Sequence, residues 1–126
     1  MVINDPHVLM EVEALFARYE QALISNDVDT LDGFFWKDAR AIRYGGGENL
    51  YGHAEIAAFR SARSPLNLAR DLQRTVVTTF GQDMATASTL FTRKTAAGRI
   101  GRQMQTWARM PEGWRIVAAH VSLIDA

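Results

Sequence analysis

The sequence predicts an α+β domain in which three N-terminal helices pack on a curved antiparallel sheet, leaving a cone with one open end. Three observations carry this reading. Apolar residues recur at helical spacing from Val8 to Leu23. Residues 68–124 then change to runs rich in Thr, Val, Ile and Trp, with alternation of period two in places. Turn signals divide those runs at Gly81-Gln82-Asp83, Thr95-Ala96-Ala97-Gly98 and Pro111-Glu112-Gly113.

Asp5-Pro6 starts the first helix: a capping side chain, then proline at a position whose N–H would have no helical partner anyway. Val8, Val12, Leu15, Phe16, Tyr19 and Leu23 form one apolar stripe, with Glu11, Arg18 and Gln21 off it. Tyr19 therefore sits on the inward face. Ser25-Asn26-Asp27 ends this helix, and Asp27 can cap a short second helix reaching Trp36. Residues 39–44 read as a short strand, Gly45-Gly46-Gly47 as a turn, and Gly52 as the opening of a third helix. That helix places Ile56, Phe59, Arg60 and Arg63 on one face. The runs 68–80, 84–93, 99–110 and 114–124 supply the rest of the sheet. If Met110 opposes Trp114 across the last turn, Gln105 opposes Ala119 and Met104 opposes His120. One face then carries Gln103, Gln105, Trp107, Val117, Ala119 and Val121. The other carries Arg102, Met104, Trp114, Ile116, His120 and Ser122.

The chain has 126 residues, which suits a single domain spanning 1–126. A chain of this size buries roughly two thirds of its unfolded surface, enough for a real core. Apolar residues make up 48% and charged residues 22%, a globular and not a disordered composition. The 14 basic and 14 acidic side chains cancel, which argues against nucleic acid as a partner. A small anionic ligand depends on local charge and stays open. No cysteine is present, so disulfides, thiolate metal sites and cysteine nucleophiles are excluded. The N-terminus has no basic stretch followed by an apolar one, and no apolar run approaches the ~18 residues that span a bilayer. The expectation is a cytoplasmic protein that does not enter a membrane.

Several chemistries find no support. His7, His53 and His120 belong to three separate elements, with no metal-ligand spacing, so no metal is expected. His120 and Ser122 share a strand face, but no acidic orienter accompanies them, which speaks against a nucleophile and base. The run GGGENLYG lacks the lysine and following Ser/Thr of a phosphate loop.

The runs ARYEQALISNDVDTLDGFFWKDARAIRYGG (17–46), YGHAEIAAFR (51–60) and EGWRIVAAHVS (112–122) resemble the nuclear-transport-factor-2-like superfamily, which includes SnoaL-like and ketosteroid-isomerase-like proteins. The resemblance implies a cystatin-like cone, often dimeric, with a pocket at its mouth. In the isomerase pattern, the helix tyrosine that stabilises an oxyanion falls on Tyr19. The general-base aspartate falls on Arg43, and the second oxyanion acid falls near Gln105. Arginine takes no proton near neutral pH, so isomerase-type proton abstraction is not expected here. At closer range, IRYGGGENLYG (42–52), FRSAR (59–63), RTVVTTFG (74–81) and RIGRQMQTWARMPEGWRIVAAHVS (99–122) resemble the AtzH-like and HpxZ-like small proteins of oxalurate and cyanuric acid catabolism.

What the resemblance implies is a hydrolase of nitrogen metabolism that needs no cofactor and converts 1,3-dicarboxyurea, or a related N-carboxylated urea, to allophanate. Arg43 and Tyr19 are the implied catalytic pair. A planar guanidinium suits a carboxylate, and a neighbouring cation lowers the pKa of a phenol. Arg60, Gln103, Gln105, Trp107 and Tyr51 are the expected substrate contacts, while Arg63 is expected to be structural. His120 and Ser122 are expected on the convex face, at a homodimer contact. The alternative is a non-catalytic dimeric cup that binds an anionic metabolite or braces an amidase.

Overall fold

The computed structural model describes residues 1–126. The first helix, α1, runs Pro6–Ile24, and the Asp5 carboxylate accepts from the His7 amide at 3.0 Å. Its buried side chains are Val8, Val12, Phe16, Tyr19, Ala22 and Leu23, so the stripe does face inward. Helix α2 (Val28–Phe34) is capped by Asp27, which accepts from the Thr30 amide at 3.3 Å. It stops before Trp36 because the chain turns to sheet pairing. Phe35 bridges to Ile116, and the Trp36 amide donates to the Ile116 carbonyl at 3.0 Å. Tertiary pairing here overrides local helical preference.

Strand β1 (Ile42–Tyr44) is followed by β2 (Asn49–Tyr51), helix α3 (His53–Ala62) and four long strands. These are β3 (Asp71–Phe80), β4 (Met84–Thr92), β5 (Arg99–Met110) and β6 (Gly113–Asp125). They form one six-stranded sheet in the order β2-β1-β6-β5-β4-β3. The sheet is mixed, which corrects the wholly antiparallel expectation. β1 comes from the helical half of the chain and lies parallel to the last strand, Arg43 opposite Ala119. β2, which no pattern announced, pairs antiparallel with β1.

The β5–β6 pairing needs a second correction. Gln105 does oppose Ala119 and Met104 does oppose His120, but nearer the turn Arg109, not Met110, opposes Trp114. The register shifts between Thr106 and Trp107. One extra residue in β6 reverses which side chains point inward beyond it, as a β-bulge does. Trp114 and Ile116 are therefore buried on the same side as Trp107. Sixteen buried residues form one core cluster, with Val12, Leu31, Trp107 and Ile116 fully enclosed.

Cross-strand pairing defines the two faces. Arg43, Ala119, Gln105, Ala87 and Val77 stand side by side across five strands, and Ala87 and Gln105 are buried under the helices. The adjacent row, Tyr44, His120, Met104, Ser88 and Val76, takes the opposite face. Within it Met104 and Val76 are exposed. No helix is long and apolar enough to cross a membrane.

Candidate active site

Arg43 is the middle residue of β1, the short strand that carries a cation beside the core. Its side chain lies on the concave face and is 11% exposed. Glu48 folds back across the turn and accepts from Arg43 Nη1 at 2.9 Å. The other Glu48 oxygen accepts from the Gly47 amide at 3.1 Å. Gly45 makes room for this. A Cβ there would lie 1.8 Å from Glu48 Oε1, so any side chain at 45 displaces the carboxylate. The Arg43 guanidinium also stands 5.3 Å from the centre of the Phe59 ring, a cation–π distance.

Arg43 lines a cavity of about 210 Å³ between α1, α3 and the concave face. Tyr19 and Leu23 contribute from α1, Phe59 from α3, Gln103 from β5 and Val121 from β6. Arg63, Asn67, Arg70 and Arg93 complete the polar wall. No carboxylate lines it. A larger groove of about 720 Å³ lies outside, over α1, α2 and the β5–β6 turn. Its Arg109 is already paired with Glu11 at 2.9 Å. The small cavity brings four arginines and the Tyr19 phenol together and is the better site for chemistry.

Tyr19 is buried, and its hydroxyl accepts from Arg60 Nη2 at 3.0 Å. The hydroxyl proton is not used in that bond. Burial alone pushes the phenol upward, but Arg60, Arg43 and Arg70 together outweigh it and hold Tyr19 below its ordinary 10.0. Arg60 is 2% exposed and stacks on the Tyr19 and Phe35 rings at 5.8 and 5.2 Å. Its Nε and Nη1 find no partner. It stands behind Tyr19 and does not line the cavity itself.

Two of the four lining arginines are paired. Arg43 has Glu48, and Arg70 grips Glu20 with Nη2 at 2.6 Å and Nε at 2.9 Å. Arg70 also donates to Gln103 Oε1 at 2.9 Å, which turns the Gln103 amide nitrogen away, unpartnered. Arg63 Nε and Nη2 and Arg93 Nε are buried without partners. Burial and the neighbouring Arg60 push Arg63 down to about 10, and burial with Arg70 lowers Arg93. Both remain charged at neutral pH. Arg63 and Arg93 thus bring positive charge to the cavity lining with no carboxylate of their own, which favours an anion there.

Of the residues expected at the site, Tyr19, Arg43 and Gln103 meet at the cavity, and Arg60 supports Tyr19 from behind. Gln105, Trp107 and Tyr51 lie elsewhere. Gln105 Oε1 accepts from Trp107 Nε1 at 3.0 Å, and both are sealed in the core beside Phe34. Tyr51 lies on the outer face, because Leu50 takes the inward position opposite Arg43. Its hydroxyl meets that of Tyr44 at 2.9 Å. Arg63 lines the cavity and is not only a helix-face residue. Arg70 and Arg93 were missed. Arg93 was within reach of pattern reasoning, since Ala87, Thr89 and Phe91 are buried at alternate positions leading to it. His120 is exposed, and Ser122 accepts from Arg102 Nε at 3.3 Å, so neither approaches the cavity.

A family model described as AtzH-like matches residues 1–126. The chain is 60% identical to a protein of unknown function from the DUF3225 family of Pectobacterium atrosepticum, with a TM-score of 0.95 and coverage of 98% of this chain and 95% of that one. It is 48% identical to a cystatin-like fold protein from Burkholderia xenovorans, again with a TM-score of 0.95, covering 100% and 98%. An NTF2-like protein with a cystatin-like fold from Novosphingobium aromaticivorans is 27% identical, with a TM-score of 0.70 and coverage of 93% and 82%. No curated protein matches the chain. The fold is thus the cystatin-like, NTF2-like α+β cone.

Proposed function

The chain belongs to the AtzH-like family, and we propose that it is a cofactor-free decarboxylating amidohydrolase acting on a small N-carboxylated urea such as 1,3-dicarboxyurea. The observation that carries this reading is the meeting of Tyr19 and Arg43 at one small cavity, with Arg60 occupying a lone pair of the Tyr19 hydroxyl. That arrangement leaves the phenolic proton free to be given away. It also lowers the pKa of the phenol, which makes it a better acid near neutral pH.

The reaction follows from these parts. One terminal carboxylate is held at Arg43, where Glu48 occupies only Nη1. At the reacting end, Tyr19 gives its proton to the carbamate nitrogen. The bond from that nitrogen to the carboxylate carbon breaks, its electron pair stays on nitrogen, and carbon dioxide leaves. Allophanate remains, and water returns a proton to the phenolate. A positioned acid contributes typically ~10²–10⁴-fold, and each donor fixed at developing charge about 10²–10³-fold. No protein nucleophile is required, in keeping with a cavity whose polar lining is four arginines, a phenol and the amides of Asn67 and Gln103.

The test is turnover. Purified protein is mixed with freshly prepared 1,3-dicarboxyurea, and carbon dioxide and allophanate are followed together. Both should appear with the wild type and be lost in Arg43→Ala and Tyr19→Phe. Binding without turnover would instead leave a dimeric anion-binding cup, or an accessory to an amidase, and would overturn the enzymatic reading.

A further inference from the structure

We propose that Glu48 tempers the anion affinity of Arg43, so that the cavity holds a carboxylate no more tightly than lets the product leave. This rests on reading Arg43 as the carboxylate anchor of the reaction. Glu48 does not line the cavity. It acts through Arg43, and its role lies in release and not in proton transfer.

Two arginines of the cavity are paired with carboxylates, but unequally. Glu20 engages Arg70 at Nη2 and at Nε, Gln103 engages Nη2 as well, and the Arg70 side chain is 1% exposed. Arg70 is fully committed to the fold. Glu48 accepts from Arg43 at Nη1 alone, at 2.9 Å, and the Arg43 side chain is 11% exposed. Arg43 therefore keeps donors for a ligand while a fixed negative charge lies beside it. A carboxylate bound at Arg43 must approach Glu48, and like charges that close repel in a partly buried site.

The contact is built into the turn between β1 and β2. The Gly45 amide donates to the Glu48 carbonyl at 3.0 Å, and the Gly47 amide donates to the second carboxylate oxygen at 3.1 Å. A Cβ added at Gly46 or Gly47 would meet nothing within 4 Å. At Gly45 it would lie 1.8 Å from Glu48 Oε1 and 3.2 Å from Arg43 Nη1. Of the three glycines, only Gly45 lets the carboxylate reach the guanidinium. Arg43 has other supports: β1 is paired with β2 on one side and β6 on the other, and the Phe59 ring lies 5.3 Å from the guanidinium. Removing the Glu48 charge should therefore unmask Arg43 and not displace it.

The reaction gives the reason for a tempered anchor. The carboxylate held at Arg43 is the one that survives, so substrate and product carry it alike. Binding shared by substrate, transition state and product does not speed the chemical step. In excess it delays product departure, which often limits turnover. Four arginines line the cavity and no carboxylate does. Glu48 supplies a counter-charge from behind the anchor without occupying the space a ligand needs.

The experiment uses acetate and acetamide, inert probes of one size that differ in charge. Each is titrated into the full chain at neutral pH and low ionic strength, and binding is followed by the amide chemical shifts of β1 and β6. Glu48→Gln keeps the shape and one acceptor but removes the charge. Gly45→Ala keeps the charge but pushes the carboxylate off Arg43. Glu48→Gln should bind acetate about tenfold tighter than the wild type and acetamide within about twofold of it, the gain expected when a neighbouring like charge is removed. Gly45→Ala should shift acetate in the same direction by less. A merely structural role for Glu48 predicts weaker binding of both probes. Acetate affinity unchanged or weakened in Glu48→Gln, an equal gain for acetamide, or no acetate binding by any of the three proteins overturns the proposal. If Glu48→Gln does not fold, Gly45→Ala decides alone, by gain or by none. In turnover, Glu48→Gln should show a lower KM and about tenfold stronger inhibition by allophanate. Tighter acetate binding without turnover of dicarboxyurea would keep Glu48 as the tempering charge and sink the enzymatic reading; turnover without tighter acetate binding would do the reverse.

Discussion

Tyr19 gains its chemistry from what surrounds a single oxygen. Arg60 is buried with no carboxylate, and the Tyr19 hydroxyl is the acceptor nearest to hand at 3.0 Å. The folded state therefore favours phenolate relative to an unfolded chain, in spite of burial. The sign follows. The folded pKa lies below the unfolded one, so this stabilisation is full above pH 10.0 and is lost as pH falls through the folded value. Activity runs the other way, because the acid must hold its proton. The basic limb of the kcat/KM profile, which reports the free enzyme, should fall below the ordinary phenol value of 10.0. The ultraviolet phenolate band of the wild type, minus that of Tyr19→Phe, should rise over the same range. A limb at or above the ordinary value would remove Tyr19 as the acid.

Arg43 shows why a residue's role is only half visible in sequence. Its strand position was legible from the short strand read at 39–44 and from resemblance, although the strand itself is only Ile42–Tyr44. Its neutralisation by Glu48 was not, because it depends on a turn that lets the carboxylate fold back over Gly45.

Among the elements, β4 and β5 do the most to hold the polar wall. Gly101 lies opposite Phe91, and a Cβ at 101 would come within 2.1 Å of the Phe91 ring. The missing side chain lets the ring lie flat across β5, where the Arg70 and Arg93 guanidiniums flank it. Gly101→Ala must push the ring into one of them. It should destabilise the fold by about 1–3 kcal/mol, the range for overpacking a filled site. Urea unfolding measures that. Unchanged stability would show that the ring has room to move without cost.

The four long strands were legible because alternation and turn residues agreed at each of them. β1 and β2 have only three residues each and cannot show a period. Their pairing with β6 is a long-range event that no local pattern encodes. The bulge in β6 was hidden for a related reason. Val117 joins an unbroken β-rich run, and only the burial of Trp114 and Ile116 beside Trp107 reveals the extra residue. Gln105 and Trp107 share the inner face with the site, as alternation requires. The sequence did not say that they serve each other and not the cavity.

At the scale of the whole molecule, a net charge of zero conceals an uneven distribution. The cavity gathers four arginines and no lining carboxylate, while the outer sheet face carries an exposed row with Val76 and Met104 in it. Composition could not locate this concentration, since Arg43, Arg63, Arg70 and Arg93 come from four separate stretches of chain. The outer row favours our proposal of a homodimer: two copies would cover it with sheet against sheet. Sedimentation should give a dimer at micromolar concentration, and Met104→Asp should shift it toward monomer. A wild-type monomer would contradict this.

The most direct measurement is the initial rate of carbon dioxide release from fresh 1,3-dicarboxyurea, compared between the wild type and Tyr19→Phe at the wild-type optimum pH. The account predicts wild-type turnover with stoichiometric allophanate and a fall of about 10²–10⁴-fold in the variant, the contribution of one positioned acid. Equal rates for the two proteins, or no release above the uncatalysed background, would contradict it.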